Sequence, residues 1–264
     1  MQVERRGERA SGGSVTATVV LTLLGRKVQL QIEVPTGPTR PLELMPLFQS
    51  LTDTFVQIGV KKAEAEGASI SCKKGCGACC SQLVPISQVE VESLKRLVAG
   101  LPERRRTEIV ERFEHALRQL DAAGLLGPLR APETVPKEEI QQLGIAYFAQ
   151  AIPCPFLEQG SCSIHEARPL ACREYLVTSP AINCASPTAE TVRMVQLPAK
   201  MSRAVRHLDG TAHSSWIPMI LALEPCSELT EGAVKPGTAV VASLFESITG
   251  KAIPYYERRQ RFEP

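Results

Sequence analysis

The nine cysteines of this 264-residue chain are unevenly distributed, and eight of them form two groups. The first group lies within the nine residues from Cys72 to Cys80, and the second extends from Cys154 to Cys184. Thiolates bind zinc and iron–sulfur clusters strongly, and both accept four of them in tetrahedral geometry. The sequence therefore predicts a cysteine-ligated metal centre with these candidate ligands: Cys72, Cys76, Cys79, Cys80, Cys154, Cys162, Cys172 and Cys184.

The spacing within the first group favours metal binding. Gly75 and Gly77 separate its cysteines, and glycine permits the tight turns that bring two sulfurs to one metal. Cys79 and Cys80 are adjacent, so both sulfurs cannot easily reach one tetrahedral centre. One of the two could bind a second metal, act as a redox thiol or pack in the core, and the sequence leaves these three roles open.

The second group is more widely spaced, with seven, nine and eleven residues between successive cysteines. Four thiolates on Zn²⁺ or on a 4Fe–4S core leave about two negative charges that need neutralisation. Four basic residues are predicted to bind the cofactor in this way: Lys73, Lys74, Arg168 and Arg173. For the two arginines, an ordinary surface ion pair is the alternative. His165 could be a ligand, although a solvent-facing or hydrogen-bonded role is favoured.

Together these motifs resemble the YkgJ-type family, whose signature is a CxxCxxCC cluster and which is described as zinc- or iron-chelating. In this chain the first gap is one residue wider, and the similarity extends from about residue 72 to residue 176. Its downstream elements are Cys154-Pro-Phe-Leu157, Cys162-Ser-Ile-His165, Arg168-Pro169 and Cys172-Arg173. The resemblance implies metal binding, commonly as an iron–sulfur protein. It also implies an enzymatic alternative, because related clusters occur in flagellin lysine methylases. His165 stands where many relatives carry tyrosine, so no role is transferred to it.

One other motif has a similar spacing. The first three cysteines are spaced as in radical S-adenosylmethionine enzymes, in which three cysteines hold a 4Fe–4S cluster. That motif usually has an aromatic residue before its last cysteine, where this chain has Ala78. Those enzymes also need a run of βα units that the sequence does not show, so this assignment is disfavoured.

Composition restricts the compartment and the partners. The net charge is +2 with both signs interspersed, which argues against nucleic acid as a partner. No window approaches the roughly 20 apolar residues of a membrane helix, and the charged N-terminus does not resemble a signal peptide. A cytoplasmic protein is predicted, in which clustered cysteines are metal ligands or catalytic groups rather than disulfides.

Hydrophobic periodicity predicts a mostly α (α+β) fold: a helical bundle with a small N-terminal β-hairpin and an irregular cysteine-rich metal-binding region. The hairpin is expected over 14–34, and a strand over 191–197. Helices are expected from Pro46 to Gly67, Ser87 to Gly100, before Gly124, and over 137–150, 198–208 and 239–249, with a loop over 127–136 and a buried segment over 216–223. The predicted division is 1–38 for the N-terminal tail and hairpin, 39–190 for the metal-binding helical domain and 191–264 for a C-terminal extension packed on it.

Three functions remain open. The leading one is a cysteine-ligated metal-binding protein, holding zinc or an iron–sulfur cluster, with no assigned reaction. The second is a metal-dependent enzyme, an oxidoreductase or a methyl- or group-transferring protein, with an open coordination position and a pocket beside the cysteines. The third is a zinc-stabilised interaction module with an exposed apolar patch. The sequence names no substrate or protein partner, and it predicts structural roles for His115 and Cys226 and a turn near His207 and His213.

Overall fold

The computed structural model of the chain describes residues 9–10, 13–23, 25–188, 190–209, 216–225 and 234–251. His213 and Cys226 lie outside these residues. The described chain begins with β1 (Arg9–Ala10), β2 (Ser14–Leu23) and β3 (Arg26–Pro35), which form an antiparallel sheet in the order β1-β2-β3. Side chains alternate along a strand, so one face of the β2–β3 hairpin is buried, as predicted.

The next elements lead to the first cysteine group and out of it. After β4 (Pro38–Thr39) and a 3₁₀ helix (Pro41–Leu44), α1 (Met45–Ala65) buries an apolar stripe that includes Phe48 and Phe55. The chain resumes regular structure at β5 (Pro85–Ile86) and α2 (Gln88–Ala99). The predicted capping box is present, since Ser87 N–H donates to Glu90 Oε2 at 2.9 Å and Glu90 N–H donates to Ser87 Oγ at 3.2 Å.

Three further helices lie between α2 and the second cysteine group: α3 (Glu103–Ala122), α4 (Leu126–Arg130) and α5 (Ile140–Ala149). The predicted loop over 127–136 is wrong in part, because α4 and a 3₁₀ helix (Pro132–Thr134) occupy most of it. Pro128 lies in the first turn of α4, where a missing N–H breaks no helical hydrogen bond. The helix therefore tolerates this proline, although proline in a sequence usually indicates the end of a helix.

Short elements form the rest of the chain. They are β6 (Leu157–Glu158), β7 (Ser161–Cys162), a 3₁₀ helix (His165–Ala167), α6 (Leu170–Glu174), a 3₁₀ helix (Ala181–Ala185), α7 (Met201–Arg206), a 3₁₀ helix (His207–Asp209), β8 (Ile217–Pro218), a 3₁₀ helix (Met219–Leu221), β9 (Lys235–Pro236) and α8 (Gly237–Thr249). The strand predicted over 191–197 is wrong: the segment makes one isolated bridge, between Val177 and Met194. Among the described residues, this segment has no partner strand along which the ladder could continue.

Two apolar clusters form the core. One joins the β2–β3 hairpin to α1, α7 and α8, and the other joins α2, α3, α4 and α5 to the buried segment around Ile220. The fold is thus mostly helical with an N-terminal hairpin, as the sequence indicates, while the predicted division into three segments stays a prediction. Within the part of the chain that the structure describes, none of the helices combines the length and hydropathy of a membrane span.

Candidate metal centre

The first cysteine group folds as two consecutive tight turns after α1. The N–H of Cys76 donates to the carbonyl of Lys73 at 3.0 Å, and the N–H of Cys80 donates to that of Gly77 at 2.9 Å. Gly75 has a φ of 86° in the first turn, a left-handed value that side-chain-bearing residues rarely adopt. Backbone geometry therefore sets the spacing of Cys76 and Cys80.

Glycines also allow the two cysteine groups to approach each other. A Cβ atom at Gly77 would lie 2.7 Å from Leu157 Cδ1 and 3.0 Å from the carbonyl oxygen of Gly160. A Cβ atom at Gly160 would lie 3.2 Å from the carbonyl oxygen of Gly75. The turn between β6 and β7 thus lies directly against the first cysteine segment, and this contact requires glycine at these positions.

The cysteines of the second group come from several short elements. Cys154 precedes β6, and its N–H donates to the carbonyl of Cys80 at 2.7 Å, so the backbones of the two groups are hydrogen-bonded. Cys162 ends β7, and Cys172 lies on α6. Cys184 lies in the following 3₁₀ helix and is buried. The hairpin, α6 and this 3₁₀ helix together position four thiols.

Cys72 is held by the segment that follows α6. The N–H of Ser71 donates to the carbonyl of Val177 at 2.9 Å. The N–H of Val177 in turn donates to Cys72 Sγ at 3.4 Å. An N–H group directed at sulfur stabilises a thiolate, whether free or metal-bound.

The thiols interact electrostatically in two overlapping sets that share Cys79. One set is Cys79, Cys154, Cys162 and Cys172, and the other is Cys72, Cys76, Cys79 and Cys184. Cys79 also forms a hydrogen bond with Cys80. All eight of these cysteines are free thiols. Two groups that lie far apart in sequence therefore meet in one thiol cluster.

Burial favours the neutral thiol at several of these cysteines. It raises the pKa of Cys154 to about 11, and it is also the main cause of the raised pKa of Cys184. The hydrogen bond with Cys80, followed by burial, raises the pKa of Cys79 far above its ordinary value. Because a metal binds the thiolate, a metal ion that enters the cluster must displace these protons.

Arg168 supplies positive charge to the cluster. Burial is the main cause that raises the pKa of Cys72, Cys162 and Cys172, and the charge of Arg168 opposes that rise at all three. Among the described residues, Arg168 Nε is one of two buried side-chain nitrogen or oxygen atoms without a hydrogen-bond partner. A thiolate ligand would give this N–H the acceptor that it lacks.

The other predicted basic residues are placed differently. Arg173 is buried, and its Nη1 donates to both carboxylate oxygens of Asp53, at 3.0 and 2.9 Å. It also donates to the carbonyls of Glu166 and Arg168. Arg173 therefore joins the loop that carries Arg168 to α1. The side chains of residues 73 and 74, both lysines, are exposed.

The donors fit zinc or iron in type and number, but they are not arranged around a metal. Among the described residues, no group of three or more His, Cys, Asp or Glu side chains has the geometry that a metal ion requires. The free thiols are nevertheless the ligands that a thiolate centre needs, and the unpaired guanidinium N–H would donate a hydrogen bond to one of the thiolates. Binding would therefore draw the sulfurs together by side-chain rotation on backbones that are already adjacent.

The three histidines that the structure describes contribute little to this cluster. His165 is exposed, and the positive charge of Arg168 lowers its pKa, as does partial burial. His115 is exposed on α3, and His207 is exposed at the end of α7. The cluster is thus a thiol site rather than a mixed thiol and imidazole site.

Sequence reasoning missed a polar neighbour of Cys184, Tyr175, and the residue that donates to it, Gln82. Gln82 Nε2 donates to the Tyr175 hydroxyl at 3.1 Å. Burial raises the pKa of Cys184, and a hydrogen bond from Tyr175 lowers it. The nearness of Gln82 to Cys80 and of Tyr175 to Cys172 in sequence was a signal, but the pairing with Cys184 depends on the tertiary fold.

Two grooves are lined by residues next to the cysteine segments. One, of about 580 Å³, is lined by Gln82 and by residues of α5 and 186–188, and its lining has no charged side chain. The other, of about 440 Å³, extends along α3 to Cys154 and includes Glu108, Glu111 and Arg112. Of these two grooves, the charged one has a cysteine of the cluster, Cys154, in its lining.

The comparison with known proteins agrees with this description. Residues 71–192 match the family model CxxCxxCC, described as a putative zinc- or iron-chelating domain. The matched segment contains all eight described cysteines. No curated protein and no solved structure matches the chain. Over these residues the chain is therefore similar to the cysteine-cluster domains that this family model describes.

Proposed function

We propose that the eight described cysteines hold two adjacent tetrahedral metal positions, which take zinc or iron. The observation that carries this proposal is the pair of overlapping thiol sets that meet at Cys79. Three thiols lie on each side: Cys72, Cys76 and Cys184 in one set, and Cys154, Cys162 and Cys172 in the other. Cys79 and Cys80 lie between the sets, and each supplies the fourth ligand to one position.

This arrangement gives the adjacent cysteines a role. Neighbouring residues have difficulty in directing both sulfurs to one tetrahedral centre, whereas two centres on opposite sides take one sulfur each. Metal binding would then break the hydrogen bond between Cys79 and Cys80 and turn the two sulfurs apart. Each divalent ion with four thiolates carries about two negative charges, and Arg168 offsets part of this charge. The absence of disulfides among the described cysteines supports the reducing cytoplasm as the compartment of the protein.

Metal analysis under anaerobic conditions tests the proposal. We expect two zinc or iron ions per chain and no inorganic sulfide. Cys162→Ser and Cys72→Ser should each lose one ion, and the double variant should lose both. Cys226→Ser, which changes a cysteine outside the two groups, is the matched control and should keep both ions.

Two other results would contradict this proposal. A brown protein that contains iron and sulfide would establish a single 4Fe–4S cluster with additional thiols in place of two mononuclear positions. A wild-type chain that binds neither zinc nor iron when reduced would show that the thiol cluster is not a metal centre.

A metal-dependent enzyme is the second candidate, and the uncharged groove beside Gln82 favours it. A catalytic centre keeps an open coordination position, whereas a structural one is closed by four protein ligands. Cyanide or azide added to cobalt(II)-substituted protein tests this difference. A changed visible spectrum would support an oxidoreductase or a group-transferring enzyme, and an unchanged spectrum would support closed coordination.

A zinc-stabilised interaction module is the third candidate. Ile182 lies in the same 3₁₀ helix as Cys184 and is 74% exposed, and Ile145 of α5 is 55% exposed. Exposed apolar side chains near a closed metal site are the feature that this function requires. The test with cobalt(II)-substituted protein separates this candidate from the enzyme, because a metal with four protein ligands does not bind added cyanide or azide.

A further inference from the structure

The hairpin between Cys154 and Cys162 is held from its outer side by two arginines of α3. Glu158, on β6, accepts a hydrogen bond from Arg112 Nη1 at 2.7 Å at its Oε1 atom. The same oxygen accepts from Arg105 Nη2. One carboxylate oxygen therefore joins two turns of α3 to the hairpin.

The same arginines also contact the residues next to both cysteines. Arg112 Nη1 donates to the carbonyl of Pro155 at 3.1 Å, one residue after Cys154. Arg105 Nη2 donates to Ser163 Oγ at 3.3 Å, one residue after Cys162. These contacts fix the backbone on the C-terminal side of each cysteine, as well as the strand between them.

The turn of this hairpin has an unfavourable backbone conformation. Gln159 has a φ of 47°, and Gly160 has a φ of 76°. A left-handed residue other than glycine is disfavoured unless its surroundings hold it in place. The first cysteine segment contacts the turn on one side, and the two arginines hold the strands on the other.

This network differs from an isolated surface ion pair, which adds little to stability. Its three charged side chains are only partly exposed, at 27% for Arg105, 33% for Glu158 and 40% for Arg112. Two guanidinium groups share one carboxylate, and both also bond to the loop itself. Such a network restricts the geometry of the loop, in the same way that hydrogen bonds from surrounding residues orient the ligands of a metal.

We propose that Arg105 and Arg112, acting through Glu158, are positioning residues for the metal centre. They hold the backbones of Cys154 and Cys162 in the conformation that presents both sulfurs to one metal. The inference rests on the proposed function, because it assumes that these two cysteines are ligands. Its consequence is slow metal release, since both thiolates must move away before the metal can leave.

The rate of zinc transfer to a coloured chelator tests this inference. Loss of outer partners of metal ligands costs about 10- to 100-fold in metal affinity, and we expect that loss to arise from faster release. Glu158→Gln, Arg105→Met and Arg112→Met, each loaded with zinc, should therefore release the metal about 10- to 100-fold faster. Arg104→Met is the matched control. Arg104 lies beside Arg105 on α3, its side chain is 94% exposed, and it pairs with Glu108 rather than with the hairpin.

Two further readouts distinguish positioning from general destabilisation. The visible bands of cobalt(II)-substituted protein report ligand geometry, and they should change in Glu158→Gln but not in Arg104→Met. Urea unfolding of the metal-free variants should show similar midpoints. Release from the wild type should also become faster at high salt, because salt screens the partly exposed charges, whereas release from Glu158→Gln should depend less on salt.

The outcomes separate this inference from the proposed function. A wild-type chain that binds zinc, together with three variants that release it at the wild-type rate, would overturn the positioning role and leave metal binding intact. A wild-type chain that binds no metal would overturn both. If one variant does not fold, the others remain informative, because each arginine variant retains one arginine on Glu158.

Discussion

Replacing Arg168 with methionine should weaken metal binding, because Arg168 places positive charge against the thiol cluster. Methionine keeps an unbranched apolar side chain and removes both the charge and the buried Nε–H, which has no partner in the protein. Two unit charges about 4 Å apart interact by about 4 kcal/mol at an effective dielectric constant of about 20, which sets an upper limit. Loss of an outer partner usually costs about 10- to 100-fold in metal affinity. We expect a loss in that range.

Competition with a chelator of known zinc affinity, under reducing conditions, measures this loss. Arg168→Lys keeps the charge but lacks the Nε–H, so its affinity should lie between those of the wild type and Arg168→Met. Arg118→Met is the control, because Arg118 is 68% exposed on α3 and pairs with Glu114. An Arg168→Met affinity within about twofold of the wild type would refute the electrostatic reasoning.

Three further predictions concern packing, pH and metal removal. Gly77→Ala should lower the free energy of unfolding by about 1–3 kcal/mol, as overpacking does, and it should also lower the amount of bound metal. Gly144→Ala, which has open space around the new methyl group, should preserve both. Urea unfolding and metal analysis check this prediction. Burial holds the pKa of Glu90 above its ordinary value of 4.5. The protonated carboxyl therefore makes its full contribution to the free energy of unfolding below pH 4.5, and this contribution is lost as the pH rises through the raised pKa. The stability of the wild type relative to Glu90→Gln should therefore fall above pH 4.5, as urea unfolding at several pH values will show. Chelation of the metal should speed hydrogen exchange at 72–80 and 154–162 while α8 stays protected, and mass spectrometry of exchanged fragments will test this.

Periodicity predicted the elements that bury a continuous stripe. The hairpin over 14–34 and the helix beginning at Pro46 have apolar residues at regular intervals, and the capping box at Ser87 is a local signal. These features depend on neighbours in sequence, so the sequence carries them. The segment over 191–197 shows the limit. Alternation predicts a strand, but a strand needs a partner, and among the described residues only Val177 forms a bridge to this segment.

The identity of the candidate ligands followed from their chemistry, whereas their environment did not. Arg168 and Arg173 are equivalent in sequence terms, since each lies within four residues of Cys172. In the structure Arg173 pairs with Asp53, 120 positions away, and Arg168 faces the thiols. The contact of Arg173 with a helix that is distant in sequence therefore determines which of the two arginines faces the thiols. The contacts of Glu158 with α3 could not be predicted for the same reason.

The hydrogen bond from Cys154 to Cys80 has a consequence for chain entropy. These cysteines begin and end a loop of 73 intervening residues, which contains all four helices from α2 to α5. A metal bound by both groups would act as a crosslink across this loop. A crosslink across a loop of this length lowers the entropy of the unfolded chain, which stabilises the folded state by about 4–5 kcal/mol. The metal-bound cysteine cluster would then hold together the two ends of the segment from α2 to α5, and loss of the metal would release both ends together.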